Sequence, residues 1–146
     1  MSLDGVSDWG ATPYLERLMQ FSWKRNELLQ DNIANIDTPG YQSRAVPVSE
    51  FQAAMKDARD RSRRDGGEVV AGDGIFADRR GIRFSPEGME LRPATGQDNL
   101  LYHDGNDRNL EQLMQGLSEN AMTFRFASEL FRKSHDLLRS AIRERP

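Results

Sequence analysis

Few residues of this chain combine the type and the spacing that covalent chemistry requires. Cysteine is absent, which excludes disulfides, thiolate zinc sites and cysteine nucleophiles together. The histidines are His103 and His135. His103 neighbours Asp104, but one such pair lacks the further ligands that a metal needs, and a histidine beside a helix seam is more often a packing residue. Asp104-Gly-Asn-Asp107 carries the oxygen ligands of a calcium loop, yet the EF-hand order needs glycine sixth and glutamate twelfth, and neither stands there. Gly72-Asp-Gly-Ile-Phe-Ala77 fits a dinucleotide fingerprint by letter only, because no βαβ unit surrounds it. No phosphate loop of the Walker type occurs, and serine, histidine and aspartate lack a nucleophile-elbow context. These residues predict no enzyme, no metal and no cofactor.

Charge leaves one feature. Lys56-Asp-Ala-Arg-Asp-Arg-Ser-Arg-Arg64 is strongly basic. It reads either as a solvated helix end, where positive charge suits the helix dipole, or as a contact for an acidic surface on a neighbouring subunit. Nucleic acid is a poor partner. The formal net charge is -3, the isoelectric point is near 5.4, phosphate binding needs a basic surface, and the run lacks the interleaved aromatics of a single-strand binder.

The elements behind these residues are mainly helical. The chain has 146 residues, of which 37% are hydrophobic and 29% charged, and its mean hydropathy is -0.73. So polar a chain buries a modest core, which favours long amphipathic helices. A first helix is predicted from about Thr12 to Asn35, with Leu15, Leu18, Ser22, Leu29, Ile33 and Ile36 on one stripe. Thr12 is its expected cap, Pro13 suits the first turn, and Glu16 lies near the positive end of the dipole. Asn35 is the expected left-handed stop, followed by a turn at Thr38-Pro39-Gly40. A shorter helix is expected from about Ser49 to Arg63, opened by Ser49 and Gln52 at capping-box spacing, with Phe51, Ala54, Met55 and Ala58 on one face. The stretch 65–107 is broken by glycine and proline and reads as irregular or partly β, with short apolar pieces at Gly74–Ala77, Ile82–Phe84 and Met89–Leu91. The expected organisation is therefore 1–41, 42–64, 65–107 and 108–146.

The last segment, Asn109 to Arg143, carries the strongest pattern. Leu110, Leu117, Phe124, Phe131 and Leu138 recur at seven-residue intervals, with Leu113 or Met114, Ala121, Ala127, Leu130 and Ile142 completing an apolar seam. A sustained heptad marks a helix that packs along its length against another helix. About 35 residues make a rod of about 50 Å, and the first helix covers only about 35 Å of it. The rest of the seam needs another partner. Ser22, Asn120, Ser134 and His135 fall on or beside the stripe, and Gly116 interrupts it at about 1 kcal/mol relative to alanine. Polar seam residues also fix register and partner. The isolated helix pair is thus expected to be marginal and to gain order in an assembly. The fold predicted is mainly α, an antiparallel coiled coil of the terminal helices with a short middle helix.

The segment Asp31-Asn-Ile-Ala-Asn-Ile-Asp-Thr-Pro-Gly-Tyr41, directly after an amphipathic helix, resembles the signature of the flagellar axial proteins of the rod and hook. Its matching turn residues are Asn32, Asn35, Thr38, Pro39, Gly40 and Tyr41. Leu101-Tyr-His-Asp-Gly-Asn106, ahead of the last helix, resembles the family's Asp-Gly-Asn turn and, with the short chain, favours a proximal rod component. The likeness covers Leu15–Phe51 and Leu101–Ile142. Asp31 and Ile36 stand where the family usually has small residues, and Arg108-Asn109 where it has valine-aspartate.

The resemblance implies a structural subunit at the base of the rod, near the MS ring in the periplasm. The implied partners are other rod subunits, further copies of itself, and the MS-ring and rod-adaptor proteins. It implies passage through the flagellar type III export gate without a cleaved signal, in keeping with Met1–Gly10, which carries Asp4 and Asp8 and no apolar run. No segment approaches the about 18 apolar residues of a membrane span, so direct insertion is not expected. Phe51-Gln-Ala-Ala-Met55 resembles the element by which rod and hook substrates engage the export gate, and equally reads as the apolar face of the second helix. The helical residues alone also fit a soluble coiled-coil adaptor or export chaperone.

Overall fold

The computed structural model describes residues 10–64, 74–95 and 110–143. Two long helices and one shorter one dominate it. Helix α1 spans Thr12–Ala34. Strand β1, Arg44–Ala45, leads into α2, Val48–Arg64. A hairpin of β2, Ile82–Ser85, and β3, Gly88–Leu91, follows, then β4, Ala94–Thr95. Helix α3 runs through Leu110–Arg143. Its 34 residues make a rod of about 51 Å against about 35 Å for α1.

The helix ends obey local rules, with three departures from the sequence expectation. Ala11, not Thr12, is the N-cap of α1, and it makes no side-chain cap bond. Thr12 is buried, and its hydroxyl shares a hydrogen bond with the Ser134 hydroxyl at 3.3 Å. Proline in the first turn limits the cost of the missing cap, because its absent N–H needs no partner. At the other end Asn35 has φ -103° and is not left-handed; its own N–H and its side chain both bond the Asp31 carbonyl, which satisfies the terminus without a left-handed residue. Helix α2 starts at Val48, before Ser49, because Pro47 already supplies a turn, its carbonyl accepting from the Glu50 N–H at 3.2 Å. Glu50 in the first turn of α2 and Arg61, Arg63 and Arg64 in its last complement the dipole.

The small sheets are antiparallel and short. The hairpin pairs Ile82 with Leu91 and Ser85 with Gly88 across Pro86-Glu87, and β1 pairs with β4 through Arg44–Thr95 and Ala45–Ala94. Two of the three short apolar pieces are therefore strands, and Gly74–Ala77 is not. Gly81, at φ +78°, is placed so that a side chain would meet the Arg92 carbonyl at 3.1 Å, which only glycine avoids.

The apolar core lies between α1, α2 and the hairpin, away from the terminal-helix contact. Phe21, Val46, Phe51, Ile82 and Met89 are buried together, with Leu18, Leu28, Val48, Met55, Phe84 and Leu91 packed around them. The rings of Phe21 and Phe51 stack at 4.2 Å with 9° between their planes. Burial of each such side chain contributes about 1.5–3 kcal/mol. Arg17 ties the hairpin to α1: its guanidinium donates to the Ser85 carbonyl at 3.0 Å and the Gln20 side chain at 2.9 Å, and lies over the Phe76 ring. Burial lowers its pKa, opposed by nearby Glu16. From α2, Arg61 donates to the Ile75 carbonyl at 3.1 Å and Asp57 pairs with Arg79.

Candidate assembly interface

Helices α1 and α3 lie side by side and antiparallel. Thr12 meets Ser134, the Ser22 carbonyl accepts from the Asn120 amide at 2.7 Å, and Leu29 lies against Gly116, so ascending positions on α1 meet descending ones on α3. The residues of α3 turned inward step alternately by four and three: Leu113, Leu117, Asn120, Phe124, Ala127, Phe131, Ser134 and Leu138 are all buried or half-buried. Leu117, Phe124 and Phe131 of the seven-residue series thus fall on the side of α1, whereas Leu138 lies one turn beyond the level of Thr12, where α1 begins, and Leu110 at the other end is 48% exposed.

The intervening positions decide the character of this contact. Asn120 and Ala127 are the fully buried ones on α3, at 3% and 0% exposure. Ala127 lets the backbones approach closely, and Asn120 sets register, because its amide has a partner only where the Ser22 carbonyl stands. The apolar alternatives for these positions fall elsewhere: Ala121 is exposed, and Met114, Leu130 and Ile142 lie on the outer surface. His135 rests its ring on Phe131, 4.6 Å between centroids, the role of a packing residue. On α1, Leu29 contacts α3, whereas Leu18 belongs to the core with α2 and Leu15 opens onto a groove between the helices; Ile33 and Ile36 are half-buried near the end of α1.

The turn after α1 is organised by a single side chain. Asn32 is 2% exposed. Its amide donates to the Arg44 carbonyl at 2.7 Å, while its oxygen accepts from the Tyr41 hydroxyl at 2.8 Å and the Arg44 N–H at 3.0 Å. Every bond spans the intervening turn, so Asn32 holds the chain where it reverses and enters β1. Within that turn the Tyr41 N–H bonds the Thr38 carbonyl at 3.1 Å and Gly40 has φ +73°, as the Thr38-Pro39-Gly40 sequence predicts. Asn35 caps α1, as above. Asp31, one of the departures from the axial pattern, forms an exposed ion pair with Arg44 at 3.6 Å, a contact worth little by itself.

Phe51 and Met55 sit in the core, Phe51 only 3% exposed. Any recognition of this pair therefore requires α2 to leave the core. Near the helix contact the Ser22 hydroxyl is buried without a hydrogen-bond partner among the described residues, and burial raises the Tyr14 pKa, opposed by a side-chain hydrogen bond with Ser62 and the charge of Arg59.

The outer surface of the long helices is the other half of the site. Met114, Met122, Phe126, Leu130, Leu137 and Ile142 on α3, with Trp23 on α1, are between 37% and 71% exposed. Among the described residues no helix is long and apolar enough to cross a membrane, and no three metal-ligating side chains are gathered. His103, the Asp104–Asp107 stretch, the Leu101–Asn106 turn, and Gly72 and Asp73 of the Gly72–Ala77 stretch lie outside the described residues.

The sequence had no signal for Arg17 as a buried strap, since a single arginine on a helix looks like a solvated residue. Asn32 was visible as part of the turn motif but not separable from Asn35.

The class these features define is a helical module with an antiparallel terminal-helix contact and an exposed apolar outer face. No family model matches the chain. It is similar to the flagellar basal body rod protein FlgB of Yersinia enterocolitica, 24% identical over 122 residues that cover 79% of this chain and 80% of that protein.

Proposed function

We propose that this chain is a structural subunit of the proximal rod of the bacterial flagellar basal body, not an enzyme, and that it polymerises through its terminal helices to transmit torque. The observation that carries the proposal is the surplus of α3. It outruns α1 by about 16 Å and holds seven large apolar side chains in solvent, which a self-contained monomer would cover. Similarity to a basal body rod protein and the Asn32–Tyr41 turn support the same reading.

In this account α1 and α3 form an antiparallel coiled coil in which Leu29 meets α3 and Leu117, Phe124 and Phe131 form the facing series, while Leu18, expected on the same seam, stays in the core with α2 and Leu15, Leu110 and Leu138 are left for neighbouring subunits. The turn held by Asn32 directs the chain from the helix toward the adjacent subunit. The neighbours are other rod subunits and copies of this chain, with MS-ring and rod-adaptor proteins at the base. The subunit reaches the periplasm through the type III export gate without a cleaved signal. Phe51 and Met55 are the gate element, presented while the chain is unfolded and buried once it folds.

Leu117→Asp tests the seam. A charge there stays unpaired against α1, so rod assembly is lost while export of the chain continues. Normal motility in that mutant overturns the proposal.

A further inference from the structure

A groove of about 770 Å³ runs between α1, α2 and α3, with Leu15, Leu18 and Met55 among its apolar walls. Gly10 and Ala11, just ahead of α1, form its mouth. Gly10 has φ +82°, so the chain path breaks from the axis of α1 at that point. The cations of the groove are ordered along its length. Helices α1 and α2 flank it in antiparallel sense, since Phe21 stacks on Phe51 while Tyr14 feels the charge of Arg59. Arg59 therefore lies about 6 Å from Gly10 along the axis, Lys56 just beyond it, and Arg25 at about 22 Å. Lys56 and Arg59 are exposed, and the one contact of Arg59 with neighbouring Asp60, at 3.5 Å, is an exposed pair worth little. Arg25 is half-buried beside Glu119. Among the described residues no carboxylate lines the groove.

The sequence that arrives at this mouth is Asp4-Gly-Val-Ser-Asp-Trp9. Asp4, Val6 and Asp8 stand at two-residue spacing, which in an extended chain puts all three on one face. At about 3.3 Å per residue, Asp8 falls about 7 Å from Gly10, Val6 about 13 Å and Asp4 about 20 Å. Those are the levels of Arg59 with Lys56, of the wall made by Leu18 and Met55, and of Arg25. The match is thus one of order and distance as well as of sign. Two other segments lie outside the described residues ahead of α3, joining Arg64 to Gly74 and Thr95 to Leu110, and none of these four residues lines the groove. A segment tethered at the mouth also holds its side chains there at high effective concentration.

We infer that Asp4–Trp9 lies extended in the groove between α1, α2 and α3 of its own chain, with Asp8 against Lys56 and Arg59, Val6 on the wall of Leu18 and Met55, and Asp4 toward Arg25. This goes beyond the rod reading and gives the basic end of α2 a partner within the molecule. On the rod reading, which leaves Leu15 for neighbouring subunits, the segment covers Leu15 in the free chain until a neighbour takes its place.

The chain has no cysteine of its own, so disulfide trapping in the full-length chain reads the contact directly. Gln52 is exposed and lines the groove. Val6→Cys with Gln52→Cys in one chain, dilute and under mild oxidation, should close at a rate independent of protein concentration. Val6→Cys with Glu16→Cys controls for tethering alone, because Glu16 is exposed, lies near Gly10 in sequence and does not line the groove. That pair should close about tenfold more slowly or less. Asp8→Lys added to the first pair should slow closure about fivefold, because like charges then meet at an exposed site. Lys56→Glu with Arg59→Glu on the same chain should restore it. Circular dichroism verifies that each exposed substitution leaves the helices formed.

The inference is overturned by equal closure of the Gln52→Cys and Glu16→Cys pairs, or by charge reversals that leave the rate unchanged. A cross-link that forms between separate Val6→Cys and Gln52→Cys chains, with none inside the doubly substituted one, assigns the groove to a second copy and also overturns it. So does a Gln52→Cys thiol that closes on Val69→Cys or Leu100→Cys in preference to Val6→Cys, since the groove then belongs to another segment. Co-purification with basal bodies is scored separately. A chain found there without this cross-link loses the inference and keeps the rod reading, and a cross-link without basal-body residence does the reverse.

Discussion

Removing the Asn32 side chain is the sharpest test of how the turn after α1 is held. Asn32→Ala deletes the bond to the Arg44 carbonyl and the two bonds accepted from Tyr41 and the Arg44 N–H. Each net hydrogen bond contributes about 0.5–1.5 kcal/mol, and more where the former partner stays buried. Arg44 is exposed and Tyr41 half-buried, so water takes over part of the loss. The expected destabilisation is about 2–3 kcal/mol, a large share of the roughly 5–15 kcal/mol of a typical domain. Tyr41→Phe removes one bond and should cost about 1 kcal/mol. Urea titration of both variants and the double mutant measures these values at constant slope. Because both changes act on one bond, the cycle should give a clear coupling energy. An Asn32→Ala loss below about 0.5 kcal/mol, the size of an ordinary surface change, refutes the hub.

Three further outcomes follow from the packing. Gly116→Ala should raise stability by about 1 kcal/mol in thermal unfolding, since the added methyl meets Leu29 and Arg25 at ordinary distances of 3.6 and 3.7 Å; destabilisation would mean that the helices approach more closely than described. Phe51→Ala should cost about 3–5 kcal/mol in urea titration, as the ring stacks on Phe21 at the centre of the core. Dilute monomer should show less helix by circular dichroism than the assembled form, because α3 buries only Asn120 and Ala127 fully; a fully helical, cooperative monomer contradicts assembly-coupled ordering.

The helices were legible because their period is local. Leu117, Phe124, Phe131 and Leu138 announce α3 through spacing alone, and Thr38-Pro39-Gly40 announces its turn through backbone preference. What spacing cannot show is which partner each stripe meets. Helix α1 serves two neighbours, turning Leu18 and Phe21 toward α2 and Ser22 and Leu29 toward α3. On a one-dimensional stripe Leu18 and Leu29 look equivalent. The polar seam positions reversed their meaning for a similar reason: Asn120 and Ser134 looked like weak points, yet each finds a partner on α1 whose position depends on the tertiary fold. The β1–β4 pair brings Arg44 to Thr95. Two-residue strands so far apart leave no pattern to read.

The location of the chain in the cell tests the central claim most directly. Hook–basal bodies purified from motile cells of the source organism, washed and measured by quantitative mass spectrometry, should contain this chain in fixed ratio to the other rod subunits. A chain that stays wholly in the soluble cytoplasmic fraction, with basal bodies intact and free of it, contradicts the account.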